Sequence, residues 1–189
     1  MKKLLSALLV LTVLFSTLIP TIASAKCEEY ITARNDLSDE LTTNNPDDFE
    51  IIETEDGTVI HHGKISPEDI VRITSTALYD ARGRSSIRFE FPGLETNAIA
   101  SDFADNVINE GESATLSVNT CVWAPEYNDL DIGIYNWTTA YYWSVTHTGG
   151  EALNCSHTFS NLTAGTYSVF VRNLGQHTLT TGYITYNLT

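Results

Sequence analysis

The residues able to do chemistry crowd into the second half of this chain, and aromatic rings dominate them. All three tryptophans, Trp123, Trp137 and Trp143, fall in a short stretch that also holds Tyr127, Tyr135, Tyr141 and Tyr142. Flat rings on exposed strands or loops stack on sugar rings and on extended peptides, and Tyr and Trp concentrate binding energy. Alternation through Tyr141, Trp143 and Val145 turns the first two inward as packing residues. Trp123, Tyr127, Tyr135, Trp137 and Tyr142 remain as a candidate ligand-binding face.

Carboxylates are the second group. Glu110, Glu112, Asp129 and Asp131 offer hard oxygen donors of the kind calcium takes, although a solvated acidic face accounts for the same residues. No twelve-residue EF-hand loop is present, and Asp129 and Asp131 share one strand face, so one ion could touch both only with help from a neighbouring loop; no cofactor besides calcium is expected. The five histidines, His61, His62, His147, His157 and His177, are scattered. Neither H-E-x-x-H nor C-x-x-C occurs, so no zinc site is expected, and His157 reads as a hydrogen-bonded strand residue. Gly111-Glu112-Ser113-Ala114-Thr115 lacks the second glycine of a nucleophile elbow. There is no glycine-rich phosphate loop. A pair of carboxylates flanking a glycosidic bond is the main route left to an enzyme. The four Asn-x-Ser/Thr matches, at Asn136, Asn154, Asn161 and Asn187, read as chance in an Asn/Thr-rich β protein.

Cysteine use depends on compartment. Met1-Lys2-Lys3, an apolar run from Leu4 to Ile19 and Ala23-Ser24-Ala25 form the three parts of a secretory signal peptide, with cleavage expected after Ala25. The run is short for a membrane-spanning helix. Lys26 stands before Cys27 where a lipoprotein signal needs a small residue. No later apolar segment or wall-sorting motif follows, so the mature chain is expected to be secreted and extracellular, without membrane insertion. Three cysteines, Cys27, Cys121 and Cys155, then favour one bridge and one leftover thiol. Cys121–Cys155 is the preferred pair because both lie in the β-rich half. It would close a loop of about 35 residues and stabilise by roughly 3–4 kcal/mol.

Charge excludes one class of partner. Lys and Arg number 10 against 24 Asp and Glu, a net charge of −14, and the leader removes two of the lysines and no acid. After Pro92 the only Lys or Arg is Arg172. Phosphate backbones need clustered cations, so nucleic acid is not a partner.

These side chains have to be positioned by strands. Residues 26–48 read as an acidic flexible segment, ending at the breaker Asn44-Asn45-Pro46-Asp47-Asp48. Residues 49–85 read as a hairpin around Asp56-Gly57 and then a helix. The helix would start at Ser66-Pro67-Glu68-Asp69 and run to about Tyr79 with Ile70, Ile73 and Ala77 on its apolar face, though its β-branched content weighs against it. The loop Arg82-Gly83-Arg84 offers a trypsin-like protease a cut site. From residue 86 to 189 the period is two, with runs at Ile87–Phe91, Ala114–Val118, Leu130–Ile134, Tyr141–Val145, Leu153–Phe159, Tyr167–Val171 and Ile184–Leu188. About seven short strands without intervening helices predict a mainly β fold, an antiparallel jelly-roll-like β-sandwich, with a small N-terminal hairpin/helix appendage. Parity puts Cys155 on the apolar face and Cys121 on the other, so the proposed bridge requires a bulge near Asn119-Thr120.

Asp129-Leu130-Asp131-Ile132-Gly133-Ile134-Tyr135, then Leu162-Thr163-Ala164-Gly165-Thr166-Tyr167-Ser168-Val169-Phe170-Val171, and a last strand Gly182–Leu188, resemble the bacterial pre-peptidase C-terminal-like domain over residues 111–189. The resemblance implies a jelly-roll-like sandwich of the kind appended to secreted enzymes, with calcium-dependent collagen-binding modules among its relatives. No peptidase domain precedes the sandwich in this chain, which leaves a free-standing module. The reading that follows is a secreted, non-catalytic module binding an extracellular polysaccharide or protein through its aromatic face. Two alternatives stay open: a small secreted jelly-roll hydrolase, and a structural surface protein with a removable pro-region.

Overall fold

The computed structural model describes residues 49–53, 58–80 and 85–189. The leader 1–25, the acidic segment 26–48 with Cys27, the Asp56-Gly57 turn and the Arg82–Arg84 loop lie outside the described residues. Two sheets face one another. The strands are β1 (Phe49–Glu53), β2 (Val59–Lys64), β3 (Ile70–Ile73), β4 (Thr76–Tyr79), β5 (Ser85–Glu90), β6 (Ile99–Asp102), β7 (Asn106–Ile108), β8 (Ala114–Ala124), β9 (Leu130–Asn136), β10 (Tyr141–His147), β11 (Glu151–Phe159), β12 (Gly165–Asn173) and β13 (Thr181–Leu188). The larger sheet runs β1-β2-β10-β9-β12-β6-β3, with β7 also paired to β12, and the smaller runs β11-β8-β13-β5-β4. Every pairing is antiparallel except β3 with β6.

The fold class is the expected β-sandwich, and all seven expected runs are strands. Their inward side chains make one core that includes Phe89, Leu116, Trp123, Ile132, Ile134, Val145, Val169 and Tyr186. The alternation of apolar and polar residues is the cause, since it gives each strand one side to bury.

The expected helix is a correction. Only Pro67–Asp69 is helical, as one 3-10 turn, and β3 and β4 follow where the helix was to continue. Ser66, Pro67 and the two acids do start a turn. The β-branched Ile70, Val71, Ile73 and Thr76 then settle as strand, where their side chains keep preferred rotamers. Nor do residues 49–79 form a separate appendage. The β1–β2 hairpin extends the larger sheet beside β10, β3 pairs with β6, and β4 pairs with β5.

Between β2 and β3, residues 65–70 cross the outer face of the larger sheet as a strap. Ile65 and Ile70 form a second apolar cluster there with Ile99, Tyr135, Tyr142 and Phe170. The Tyr135 hydroxyl donates to the Ile65 carbonyl (2.8 Å) and the Ile65 amide to the Ala140 carbonyl (3.0 Å).

Asn119 is an extra residue in β8: its neighbour Thr120 pairs with Thr185, while Val118 pairs with Tyr186. That bulge moves Cys121 and Trp123 onto the core face with Leu116 and Val118. Opposite it, Asn154 has φ of 50°. In β11, Ala152, Cys155 and Phe159 are accordingly buried and Leu153 is not, contrary to the simple alternation.

Candidate functional site

Strands β6 and β7 flank β12 in line, and the break between them, Phe103–Asp105, opens on the outer face. Beside it, the parallel pairing of β3 puts Arg72 opposite Ser101. The Arg72 guanidinium lies 4.5 Å from the Phe103 ring centre and 4.4 Å from that of Trp137, so it is held between the two rings. Its Nη2 donates to Asp105 Oδ1 at 2.9 Å. Trp137 follows the end of β9, and its indole is fixed by a chain of hydrogen bonds. Trp137 Nε1–H donates to Ser168 Oγ (2.6 Å), which lies 2.6 Å from Ser101 Oγ, and Ser101 donates to the Val169 carbonyl (3.0 Å). Tyr135 meets Trp137 edge-on at 4.8 Å.

Phe103 is 52% exposed, and Val107, on the same face through its pairing with Thr166, is 79% exposed. An aromatic and aliphatic patch carrying a fixed cation and carboxylate can stack on a ring or an extended backbone and hydrogen-bond its polar groups. Asp102 lies beneath, facing the core, where burial raises its carboxyl to about 6.

The five aromatic candidates from the sequence do not form one platform. Trp137 is half-buried and belongs to this patch. Tyr135 and Tyr142 have their side chains on the outer face as parity requires, but the strap covers them and burial pushes both phenols up to about 12. Trp123 is 2% exposed, turned into the core by the Asn119 bulge, and its Nε1–H donates to the Asn128 carbonyl (2.7 Å). Tyr127 is 69% exposed at that end of the sandwich, edge-on to His177 at 5.3 Å. Trp143 and Tyr141 face inward as expected, with His62 stacked between them at 4.4 and 5.2 Å.

The four acidic candidates are also separated. Glu110 accepts from the Ala164 amide and Glu112 from Asn109, beside the start of β12. The Asp129 carbonyl accepts from Leu174, past the other end of β12, and the buried Asp131 accepts from Thr146 Oγ1 (2.6 Å). Sequence proximity gave no indication that opposite ends of the sandwich separate these pairs.

Cys121 and Cys155 are not bridged, which corrects the expected disulfide. The bulge that the bridge required is present, and both thiols are buried. Register keeps them apart, because Cys155 faces Val118 and Cys121 faces Ala152. Three residues of strand are about 10 Å, beyond the ~7 Å between Cα atoms that a disulfide spans. Burial pushes the Cys121 thiol far above its ordinary range.

Cys155 has other company. His147 Nε2 and His157 Nε2 are 3.1 Å apart, and the donor atoms of His147, Cys155 and His157 lie within 4.8 Å of one another. Burial, and then the nearby His157, lower the His147 pKa to about 3. This is the one cluster of three or more His, Cys, Asp or Glu able to hold a metal among the described residues. A groove of about 410 Å³ lies elsewhere, between β3, β4 and β5, and its one carboxylate, Glu90, is ion-paired with Arg88 at 2.9 Å.

The sequence does not single out the patch residues Arg72, Phe103 and Asp105. Arg72 falls within the span predicted as helix, and Phe103 and Asp105 sit in a run, Ser101–Asn106, without a hydrophobic period. No helix among the described residues is long and apolar enough to cross a membrane.

No protein-family model matches the chain, and no curated protein matches it. Solved structures that resemble it include PliG of Aeromonas hydrophila, a periplasmic inhibitor of g-type lysozyme. That likeness has 10% identity and TM-score 0.34, over 64% of this chain and 98% of that one. A carbohydrate-binding module, BiXyn10A CBM1, has 12% identity and TM-score 0.29, over 75% and 81%. The module CBM6cm-2 of Cellvibrio mixtus lichenase 5A, solved with cellotriose, has 12% identity and TM-score 0.32, over 60% and 85%. Likenesses this distant assign no ligand.

Proposed function

We propose that this protein is a secreted β-sandwich module that binds an extracellular polymer, polysaccharide or protein, at the break between β6 and β7. The observation that carries the reading is the Phe103–Arg72–Trp137 stack, with Asp105 on the guanidinium and Ser168 fixing the indole. A rigid indole costs little ordering entropy when a ligand lands on it, and it lies beside an exposed phenyl ring and a polar pair. The same features suit a pyranose face with its hydroxyls or an extended peptide with its amides. The resemblance of residues 111–189 to pre-peptidase C-terminal-like domains agrees with an extracellular module, as does the leader at 1–25.

The test is retention on insoluble cellulose, xylan, chitin and gelatin, followed by affinity measurement on whichever retains the protein. Trp137→Ala and Phe103→Ala should each weaken binding at least tenfold. Tyr127→Ala, at the distant end, should leave it unchanged. Retention on none of these polymers, or equal affinity of the two patch variants and wild type, overturns the reading.

A further inference from the structure

We propose that His147, Cys155 and His157 form a His2Cys site for a thiophilic transition-metal ion, zinc(II) above all, at the edge of the sandwich between the two sheets. The site is assembled by one connection. Strand β10 ends at His147 in the larger sheet, and Thr148-Gly149-Gly150 carries the chain across to β11 in the smaller. Both glycines have φ near 83°, a conformation that costs other residues dearly and lets three residues make the crossing. His147 is thereby delivered against β11.

On β11, Cys155 and His157 are two residues apart and share a face. Their cross-strand partners, Val118 and Leu116, are both core residues, so that face is the interior one. Alternation back from Phe159 through His157 puts Cys155 on it, and the Asn154 irregularity falls just before, where Ala152 turns inward in place of Leu153. Two imidazoles and a thiol thus stand where the strand pattern calls for apolar side chains.

Their spacing fits a small cation. Zinc at 2.0–2.1 Å from nitrogen and about 2.3 Å from sulfur sets tetrahedral donor atoms about 3.3–3.6 Å apart. The observed Nε2–Nε2 distance is 3.1 Å, and all three donors fall within 4.8 Å. Imidazole and thiolate suit zinc or copper and not calcium, which takes oxygen. His157 is half-buried, and β11 is an edge strand, so an ion has a way in. Three protein ligands leave a fourth position for water or an outside donor. On binding, the Cys155 thiol gives its proton to solvent and coordinates as thiolate.

A hydrogen bond between the two imidazoles also gives 3.1 Å, so the test has to separate the two. The protein, stripped of metal and kept reduced with a phosphine, is titrated with cobalt(II) and then challenged with zinc(II). The expected result is one equivalent of cobalt with tetrahedral d–d absorption and a sulfur-to-cobalt charge-transfer band, both abolished by zinc. Cys155→Ser should remove the charge-transfer band. His157→Gln, at the half-buried position where folding is least at risk, should weaken binding at least a hundredfold with an unchanged far-ultraviolet spectrum. His61→Gln and His177→Gln should bind as wild type does. No cobalt bound at stoichiometric concentration, octahedral spectra without a sulfur band, or a sulfur band that survives Cys155→Ser overturns the proposal.

Discussion

The Tyr186 hydroxyl, on the smaller sheet, donates to the Asp102 carboxylate of the larger sheet, through the middle of the core. Asp102 is fully buried, and its other oxygen accepts from the Val169 amide at 3.2 Å. Burial raises the carboxyl to about 6, outweighing three donors (the Tyr186 hydroxyl and the Ala104 and Val169 amides) and the nearby Arg72, which favour the charged form.

The sign of the resulting pH dependence follows from proton counts. In the unfolded chain an aspartate titrates near 3.9. Between about pH 4 and 6 the folded state holds more of this proton than the unfolded state, so stability falls as pH rises through that window. The contribution is about 3 kcal/mol, fully expressed above pH 6 and absent below pH 4. Urea unfolding of wild type and Asp102→Asn across pH 4–7 measures it as the difference between their slopes. Parallel curves would refute the assignment. Tyr186→Phe, which leaves Asp102 short of a donor, should cost about 1–3 kcal/mol at pH 7.

Gly133 lies in β9 between Ser144 of β10 and Phe170 of β12. A Cβ there would overlap the Trp143 carbonyl oxygen and the Ser144 Cα and Cβ. Backbone in the middle of a sheet cannot retreat, so Gly133→Ala should destabilise by at least about 1–3 kcal/mol. An unchanged urea midpoint would contradict this.

Cys121 and Cys155 sit as separate thiols in the core. Melting the protein with and without a phosphine reductant should therefore give the same Tm. A bridge of that span would add roughly 3–4 kcal/mol, so its reduction would lower Tm by several degrees.

The period-two runs from Ile87 to Leu188 made seven strands and the sandwich legible in the sequence, because an alternating strand can bury only one side. Two residues, Asn119 and Asn154, show where that legibility stops. Each shifts the alternation, and nothing local about an asparagine announces it. Trp123 and Cys121 therefore read as outward and lie inward. The stretch Ser66–Tyr79 shows the converse: its first four residues carry genuine helix-start signals, yet pairing with β6 and β5, distant in sequence, decided it as strand.

The sequence by itself determined the β class, the aromatic richness of the β9–β10 region and the net acidity of the chain, all of which depend on residue type and nearest neighbours. Tertiary structure alone decided which rings reach solvent. The strap at 65–70 covers Tyr135 and Tyr142, parallel pairing slides Arg72 between Phe103 and Trp137, and a three-residue crossing sets His147 against His157. Each of these depends on where a distant segment comes to rest, and the free energy of burying or pairing that segment is not written in the residues it meets.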